Sequence, residues 1–373
     1  MQIPPVKIVF SKEEREEILQ RIDRCLLEGQ VAQGQNVREF EASFSRYVGV
    51  KHAVAVSSGG AAIEVAMRLL GAKGHKVLVP TNTFAATATG VLLAGGCVRF
   101  VDADPNTFSV SLASLQAAAT SQTAGVIVVH IGGIMTHEIE AIRAWCKGKG
   151  LWLFEDAAHA HGSSLNGKTP GQFGQVAAYS FFATKVMTSG EGGMLVTDDD
   201  GLAKRAKGLR DYGKPEPWVT LHTEIGSNWR MSEFCAAVGL VHLRRLEEFI
   251  AWRKKVADLY TAQLQAVPEI KPILPGDKAS WYKYILLLPT GVDRERVRTA
   301  MKNRGVHLSG GVYDIPLHQQ PAFKAMAQGP YPVADDICSR HICLPLYYGM
   351  TDEEASFVVE CLRSTLKEEG VRT

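Results

Sequence analysis

The chain has 373 residues, 46% hydrophobic and 21% charged, enough apolar material for two domains or one large domain with a smaller one attached, which excludes disordered, collagen-like and fibrous classes. Its 41 Lys and Arg against 39 Asp and Glu leave a formal charge of +2, too weak a field to attract nucleic acid or an anionic bilayer, so any polyanionic ligand must be held by a local site. Seven scattered cysteines with no C-x-x-C pair exclude a disulfide framework or a zinc site and point to reduced thiols, as in the cytoplasm.

At the N-terminus the charged run Lys12 to Glu17 follows a short stretch, with no signal or transit peptide pattern. No apolar run approaches the roughly 18 residues of a membrane span. From about residue 50 to 200, short β-branched runs alternate with Ala/Leu-rich helical patterns. The expected strands are Ala53–Val56, Lys76–Val79, Val98–Val101, Gly125–His130, Leu151–Phe154, Val176–Phe181 and Met194–Thr197. Several are apolar throughout, the pattern of a sheet covered on both faces, and their alternation with helices predicts an α/β sandwich with a largely parallel sheet. Ligands of such sheets bind beyond the carboxyl ends of the strands, so the residues after each run carry the interest.

Beyond residue 231 the pattern predicts one long helix, capped by Ser232 and running through Leu240, Leu243 and Leu246 towards Tyr260. The remainder, with a strand at Tyr282–Leu288 and helices around Arg294–Arg304 and Asp352–Leu366, predicts a smaller α+β domain. The expected division is a large cofactor-binding domain with an N-terminal arm over 1–250 and a small domain over 251–373.

Three segments carry chemistry. Ser57-Ser58-Gly59-Gly60-Ala61-Ala62 turns from a strand into a helix that Gly71 can cap, which makes either an anion site of backbone N–H groups or a tight turn without a ligand. Asp156, directly after a buried strand, is either a helix cap or the partner of a cation deep in a site, such as a protonated ring nitrogen. Lys185 closes Ser180-Phe181-Phe182-Ala183-Thr184-Lys185 and precedes Gly190-Glu191-Gly192-Gly193. It is either a solvated surface lysine or a desolvated ammonium whose lowered pKa frees a nucleophilic amine for Schiff-base chemistry.

From about Gly29 onward these segments, with Gln33-Gly34, Pro80 to Thr87, Gly226 to Glu233, Pro316 to Phe323 and Leu344 to Met350 in the same order, resemble the DegT/DnrJ/StrS family of pyridoxal-phosphate-dependent sugar aminotransferases. The resemblance implies fold type I, the aspartate aminotransferase fold, with a mostly parallel seven-stranded sheet. It implies that Lys185 forms the internal aldimine and moves the proton, with pyridoxamine phosphate as the intermediate form of the cofactor, and that Asp156 holds the pyridinium nitrogen protonated. Phe84 then stacks on the ring, His159 contacts the phenolic oxygen, and Ser180 with the Gly60 and Ala61 amides binds the phosphate. Asn228 reaches the neighbouring subunit's phosphate, which implies a homodimer with shared sites. Gln33, Arg230, Tyr313 and His318 fall in substrate-facing segments, and His318 equally suits a structural histidine. The implied donor is glutamate or glutamine, and the acceptor a keto-sugar, nucleotide-linked or not, or a related cyclitol.

Position 60 is Gly where the family usually has Thr, and position 159 is His where many members have Gln. The alternatives are a dehydratase or an aromatising synthase, such as one making 3-amino-5-hydroxybenzoate, and a non-catalytic regulator. Lys185 argues against the dehydratases, which carry His there. The regulator would lack that lysine or add a DNA-reading element.

Overall fold

Each apolar run of the first half sends alternate side chains into different cores, which is why these runs do not alternate polar with apolar. In the computed structural model, which describes residues 1–372, seven strands form one sheet. They are β1 (His52–Val56), β2 (Lys76–Pro80), β3 (Cys97–Val101), β4 (Thr123–Val129), β5 (Trp152–Asp156), β6 (Val176–Ser180) and β7 (Gly193–Thr197), ordered β1-β7-β6-β5-β4-β2-β3. Only β7 runs antiparallel to its neighbours, so the carboxyl ends of the other six share one edge. All seven expected strands are present, and the fold is that of type I.

Helices cover both faces, first α1 (Lys12–Glu28), α2 (Gln35–Val48), α3 (Gly59–Leu69), α4 (Ala85–Leu93), α5 (Leu112–Ala118), α6 (Ile139–Lys149) and α7 (Asp200–Leu209). Val54, Val56, Val77 and Val79 pack with Ile63 of α3 and Val91 of α4, whereas Ala53, Ala55, Tyr179 and Phe181 meet Phe40 and Phe44 of α2 on the other side. There α5 and α6 complete the layer with Leu115, Ile139 and Ile142 on Leu78 and Val126.

The expected single helix after Ser232 is two helices. Ser232 caps α8 (Glu233–Arg244) as expected, but Arg245 leaves the helical conformation and α9 (Leu246–Leu264) starts in a new direction. Arg245 is held there by Glu14, Glu248 and Tyr348, which gives the break a cause. The first turns of α9 pack Phe249 and Ile250 into the core of the large sheet, and its later turns carry Val256, Tyr260 and Leu264 into the second core.

That second core lies under an antiparallel sheet of β8 (Lys271–Ile273), β9 (Tyr284–Leu287) and β10 (His341–Leu344), ordered β10-β9-β8, with α10 (Arg294–Asn303), α11 (Pro332–Arg340) and α12 (Asp352–Glu368). Tyr284 and Leu286 face this core, while Ile285 and Leu287 join the core of the large sheet. The small sheet is thereby packed against the edge where the large strands end.

One tertiary cap ties the N-terminal helices to α8. Gly34, the N-cap of α2, offers no side chain, and the 1% exposed carboxylate of Glu233 accepts the amides of Gly34, Asn36 and Val37 at 2.6, 2.7 and 3.1 Å. An acceptor at this end also complements the helix dipole. Glu233→Gln is expected to lower stability by roughly 2–4 kcal/mol, because the amide loses the charge and one acceptor oxygen at a site closed to water. A urea transition that moves by less than about 0.5 kcal/mol would assign α2 another anchor.

Candidate active site

Four strand ends and the start of α3 enclose a cavity of about 640 Å³, roofed by the segment around Ser309 to Tyr313 and by Pro5 and Val6. Its floor is where Ser58 leaves β1 and caps α3, its hydroxyl accepting the Ala61 amide at 3.1 Å. The amides of Gly59 and Gly60 keep no protein partner among the described residues and line the cavity. A Cβ at Gly59 would stand 2.7 Å from Cβ of Ser180, and one at Gly193 would stand 2.2 Å from the Ser58 carbonyl oxygen. Glycine at both positions is what lets the helix start sit directly beside the end of β6. Two amides and the Ser180 hydroxyl thus converge on an anion site, with Ala61 committed to the cap rather than to the ligand.

Asp156 ends β5 and is 4% exposed. It accepts the Thr87 hydroxyl at 2.8 Å on one oxygen and the Ala158 amide at 3.2 Å on the other. Burial pushes its pKa up, opposed by these two donors and by the charge of Lys185. The turn at Ala158 and the cavity position hold together, so Asp156 is both a local cap and a carboxylate aimed into the site. A dry carboxylate with only two neutral donors suits a cationic ring nitrogen.

Lys185 also lines the cavity, its Nζ 4.6 Å from the ring centre of Tyr282. Burial lowers its pKa to about 8, the Asp156 charge working against this and Lys283 with it. It is half-buried in the cavity wall, which does not match a freely solvated surface lysine.

His159 is 5% exposed and stacks on Tyr282 at 4.3 Å. Burial and the nearby lysines hold its pKa well below the ordinary value, so the ring is neutral. Its Nδ1 accepts the Gly132 amide at 3.3 Å, which leaves the proton on Nε2, 3.3 Å from the Tyr313 hydroxyl. Phe84, 59% exposed, forms the rim beside Tyr313. Asn82 holds the Tyr313 segment on the large sheet by accepting the Tyr313 amide at 3.0 Å.

Four expected site residues lie elsewhere. Both nitrogens of His318 are taken, Nδ1 by the Thr81 hydroxyl at 2.7 Å and Nε2 by Asp335 at 2.9 Å, so it fastens its loop instead of facing the cavity. Gln33 sits before α2 and contacts Arg38. Asn228 bridges to Asp211, and Arg230 pairs with Asp211 at 2.5 Å and lies over Tyr212, outside this chain's own cavity.

Sequence reasoning gave no role to Thr87, Arg253, Tyr282 or Lys283, which the fold brings to the cavity. Thr87 was legible as the helical partner of a motif already noted; the other three come from α9 and the residues just before β9, whose packing on the large sheet no local pattern records.

A model of the DegT/DnrJ/EryC1/StrS aminotransferase family matches residues 12–363. The chain belongs to this family. It is similar to the spore coat polysaccharide biosynthesis protein SpsC of Bacillus subtilis, 32% identical with 96% of each chain covered. It is 33% identical to a UDP-N-acetyl-3-dehydro-alpha-D-glucosamine 3-aminotransferase of Acidithiobacillus ferrooxidans, 94% of each chain covered. Among solved structures, NtdA from Bacillus subtilis with bound pyridoxamine phosphate superposes with a TM-score of 0.89 at 27% identity, over 96% of this chain and 83% of that one. The chain is accordingly an aminotransferase that works with pyridoxal phosphate.

The cavity fits that cofactor by its donor set: an anion site for the phosphate, a buried carboxylate for a protonated ring nitrogen, an N–H on His159 for a phenolic oxygen, and a lysine for the aldehyde. Capture of pyridoxal phosphate through Lys185 would need its neutral amine, so the rate should rise with pH through about 8 and level off above it. Stopped-flow absorbance across pH 6 to 10.5 checks this; a midpoint near 10.5, the ordinary lysine value, would mean that Lys185 is solvated in the apoenzyme.

Proposed function

We propose that the enzyme transfers an amino group from glutamate or glutamine to the keto group of a nucleotide-linked sugar, in sites completed by a second copy of the chain. The observation that carries the reading is the desolvated Lys185 sharing a cavity with Asp156 and with the anion site of Gly59, Gly60 and Ser180. The sugar class rests on relatives named for such substrates, such as the Acidithiobacillus enzyme and a dTDP-4-dehydro-2,3,6-trideoxy-D-glucose 4-aminotransferase of Saccharopolyspora spinosa. A cyclitol ketone is the related acceptor. The dehydratase reading expects His at position 185 and the regulator reading expects that lysine to be lost, whereas Lys185 is in place and shares the cavity with Asp156.

In this reading the bound cofactor supplies an electron sink for the carbon that loses its proton. Asp156, oriented by Thr87, keeps the ring nitrogen protonated. His159 donates Nε2–H to the phenolic oxygen, and its Nδ1 bond to Gly132 fixes that tautomer. Lys185 would be the acid–base group beside the reacting carbons, removing a proton from the donor's amine-bearing carbon in one half of the exchange and delivering one to the acceptor's carbon in the other, and a lysine with a pKa lowered to about 8 is suited to both directions. Phe84 forms the wall against the ring, and Tyr313 offers a hydroxyl to the substrate side.

Asn228 and Arg230 enter through assembly. Exposed Trp218 at 98% and Ile225 at 87%, together with Leu27 at 80%, are large apolar surfaces on the elements next to them, suited to contact with a second copy. In an isologous dimer the Asn228 loop would reach the partner's anion site, and Gln33 and Arg230 would complete its substrate face.

Lys185→Ala should abolish both amino transfer and the borohydride-trappable bond to the cofactor, and Asp156→Asn should bind the cofactor but lose about 100-fold or more in turnover. Product analysis with glutamate or glutamine against nucleotide-linked keto-sugars and keto-inositols identifies the acceptor; a trappable bond in the Lys185 variant, or wild-type turnover in the Asp156 variant, contradicts the role of that residue. When Lys185→Ala chains are exchanged with chains disabled at Asn228, about half the dimers should be mixed and about a quarter of all sites should carry both wild-type residues. Activity that stays at the sum of the separate mutants after verified exchange places both residues in one chain's site.

A further inference from the structure

Two cations at the inner wall of the cavity are not used by this chemistry. Lys283, next to Tyr282 at the head of β9, lines the cavity with its Nζ 5.1 Å from the Tyr282 ring centre, so the Lys185 and Lys283 ammoniums lie against one ring. Arg253 of α9 lines it too and is 4% exposed. One of its terminal nitrogens donates to the carbonyls of Trp281 and Leu346, at 3.2 and 2.8 Å, while its Nε has no partner among the described residues. Neither makes an ion pair among the described residues, and burial lowers the pKa of each, that of Arg253 to about 10. A buried guanidinium and a half-buried ammonium that pair with no carboxylate gain from a ligand that supplies negative charge.

Resting on the aminotransferase reading, we propose that Lys283, backed by Arg253, is the subsite that takes the α-carboxylate of the amino donor. An amino acid presents this group on the carbon that bears the transferred nitrogen, so an anion site beside Lys185 is within its reach. The other anion available, the diphosphate of a nucleotide-linked sugar, hangs from the anomeric carbon, several bonds from the reacting ketone. A cation that shares the Tyr282 ring with Lys185 matches the first and not the second. Glutamate and glutamine both carry the α-carboxylate, so the subsite would accept either, whereas their side chains differ in charge.

The test compares glutamate with its α-amide, isoglutamine, on the holoenzyme. Dissociation constants come from calorimetry and rates from single-turnover spectra. The wild type should prefer glutamate by about 10- to 100-fold, the size of a lost charge-assisted hydrogen bond in a dry site. Lys283→Met and Lys283→Gln should bring this ratio to within about twofold, and Lys283→Arg should restore most of it. A wild type that takes the α-amide as readily as glutamate overturns the proposal without any variant. An unchanged ratio in folded Lys283 variants overturns it as well, and a rise confined to the KM for the keto-sugar would give Lys283 to the acceptor. A wild type inert with every donor removes the aminotransferase reading itself, an outcome distinct from normal turnover with indifferent Lys283 variants.

Discussion

Lys185 and Asp156 line one cavity with opposite charges, and the energy of that arrangement sets the requirements for its surroundings. A buried ammonium loses its hydration, which lowers its pKa towards about 8; a buried carboxylate suffers the same loss and is pushed up. Each therefore depends on the other until a ligand arrives, and each needs a rigid backbone to keep it from swinging out to solvent. Neighbouring parallel strands give that rigidity: Asp156 of β5 is in register with Ala178 of β6, and Ser180, two residues on, opens the segment that leads to Lys185.

The preceding residue on β5 shows how far the strand is anchored. Glu155 points to the other side, where it accepts the amides of Gly171, Phe173 and Gly174 and pairs with His130 at 3.0 Å. Two adjacent carboxylates on opposite faces of one strand thus take different duties. Glu155 is saturated by fixed donors and ties the loop before β6 to the middle of the sheet. Asp156 keeps capacity for a cation, because only Thr87 and Ala158 serve it. The same division appears at the helix start, where Ser58 consumes one amide of α3 and leaves two for an anion.

The sheet was legible in the sequence because a strand buried on both faces is written as an unbroken apolar run, as in Val54 to Val56 or Val126 to Val129. Lys185, Asp156 and Ser180 were legible because strand ends in such a sheet are where ligands bind, and the glycines after Lys185 mark a close backbone approach. The first helices were not read as elements: α1 buries only Glu14, Ile18 and Cys25, too sparse a face for a periodic signal, and α2 is capped by a residue nearly 200 positions away. The break at Arg245 follows from partners at Glu14 and Tyr348, again distant in sequence. His318 had two readings, and only the positions of Thr81 and Asp335 decide between them. Arg253, Tyr282 and Lys283 escaped for the same reason.

The packing of the small sheet explains why the inner wall is cationic. Ile285 and Leu287 of β9 enter the core of the large sheet, and their burial fixes the strand's height above the cavity. With that height set, the pleat directs Tyr284 and Leu286 to the second core, and the residues just before the strand, Tyr282 and Lys283, meet the cavity. α9 reinforces the position from the other side, since Arg253 lies between the turns that pack on the two cores and bonds to the backbone of both Trp281 and Leu346. The two cations are thus placed by hydrophobic packing on either side of them, and with Lys185 they outnumber the two carboxylates of the lining, Asp156 and Glu191, which favours a ligand carrying negative charge.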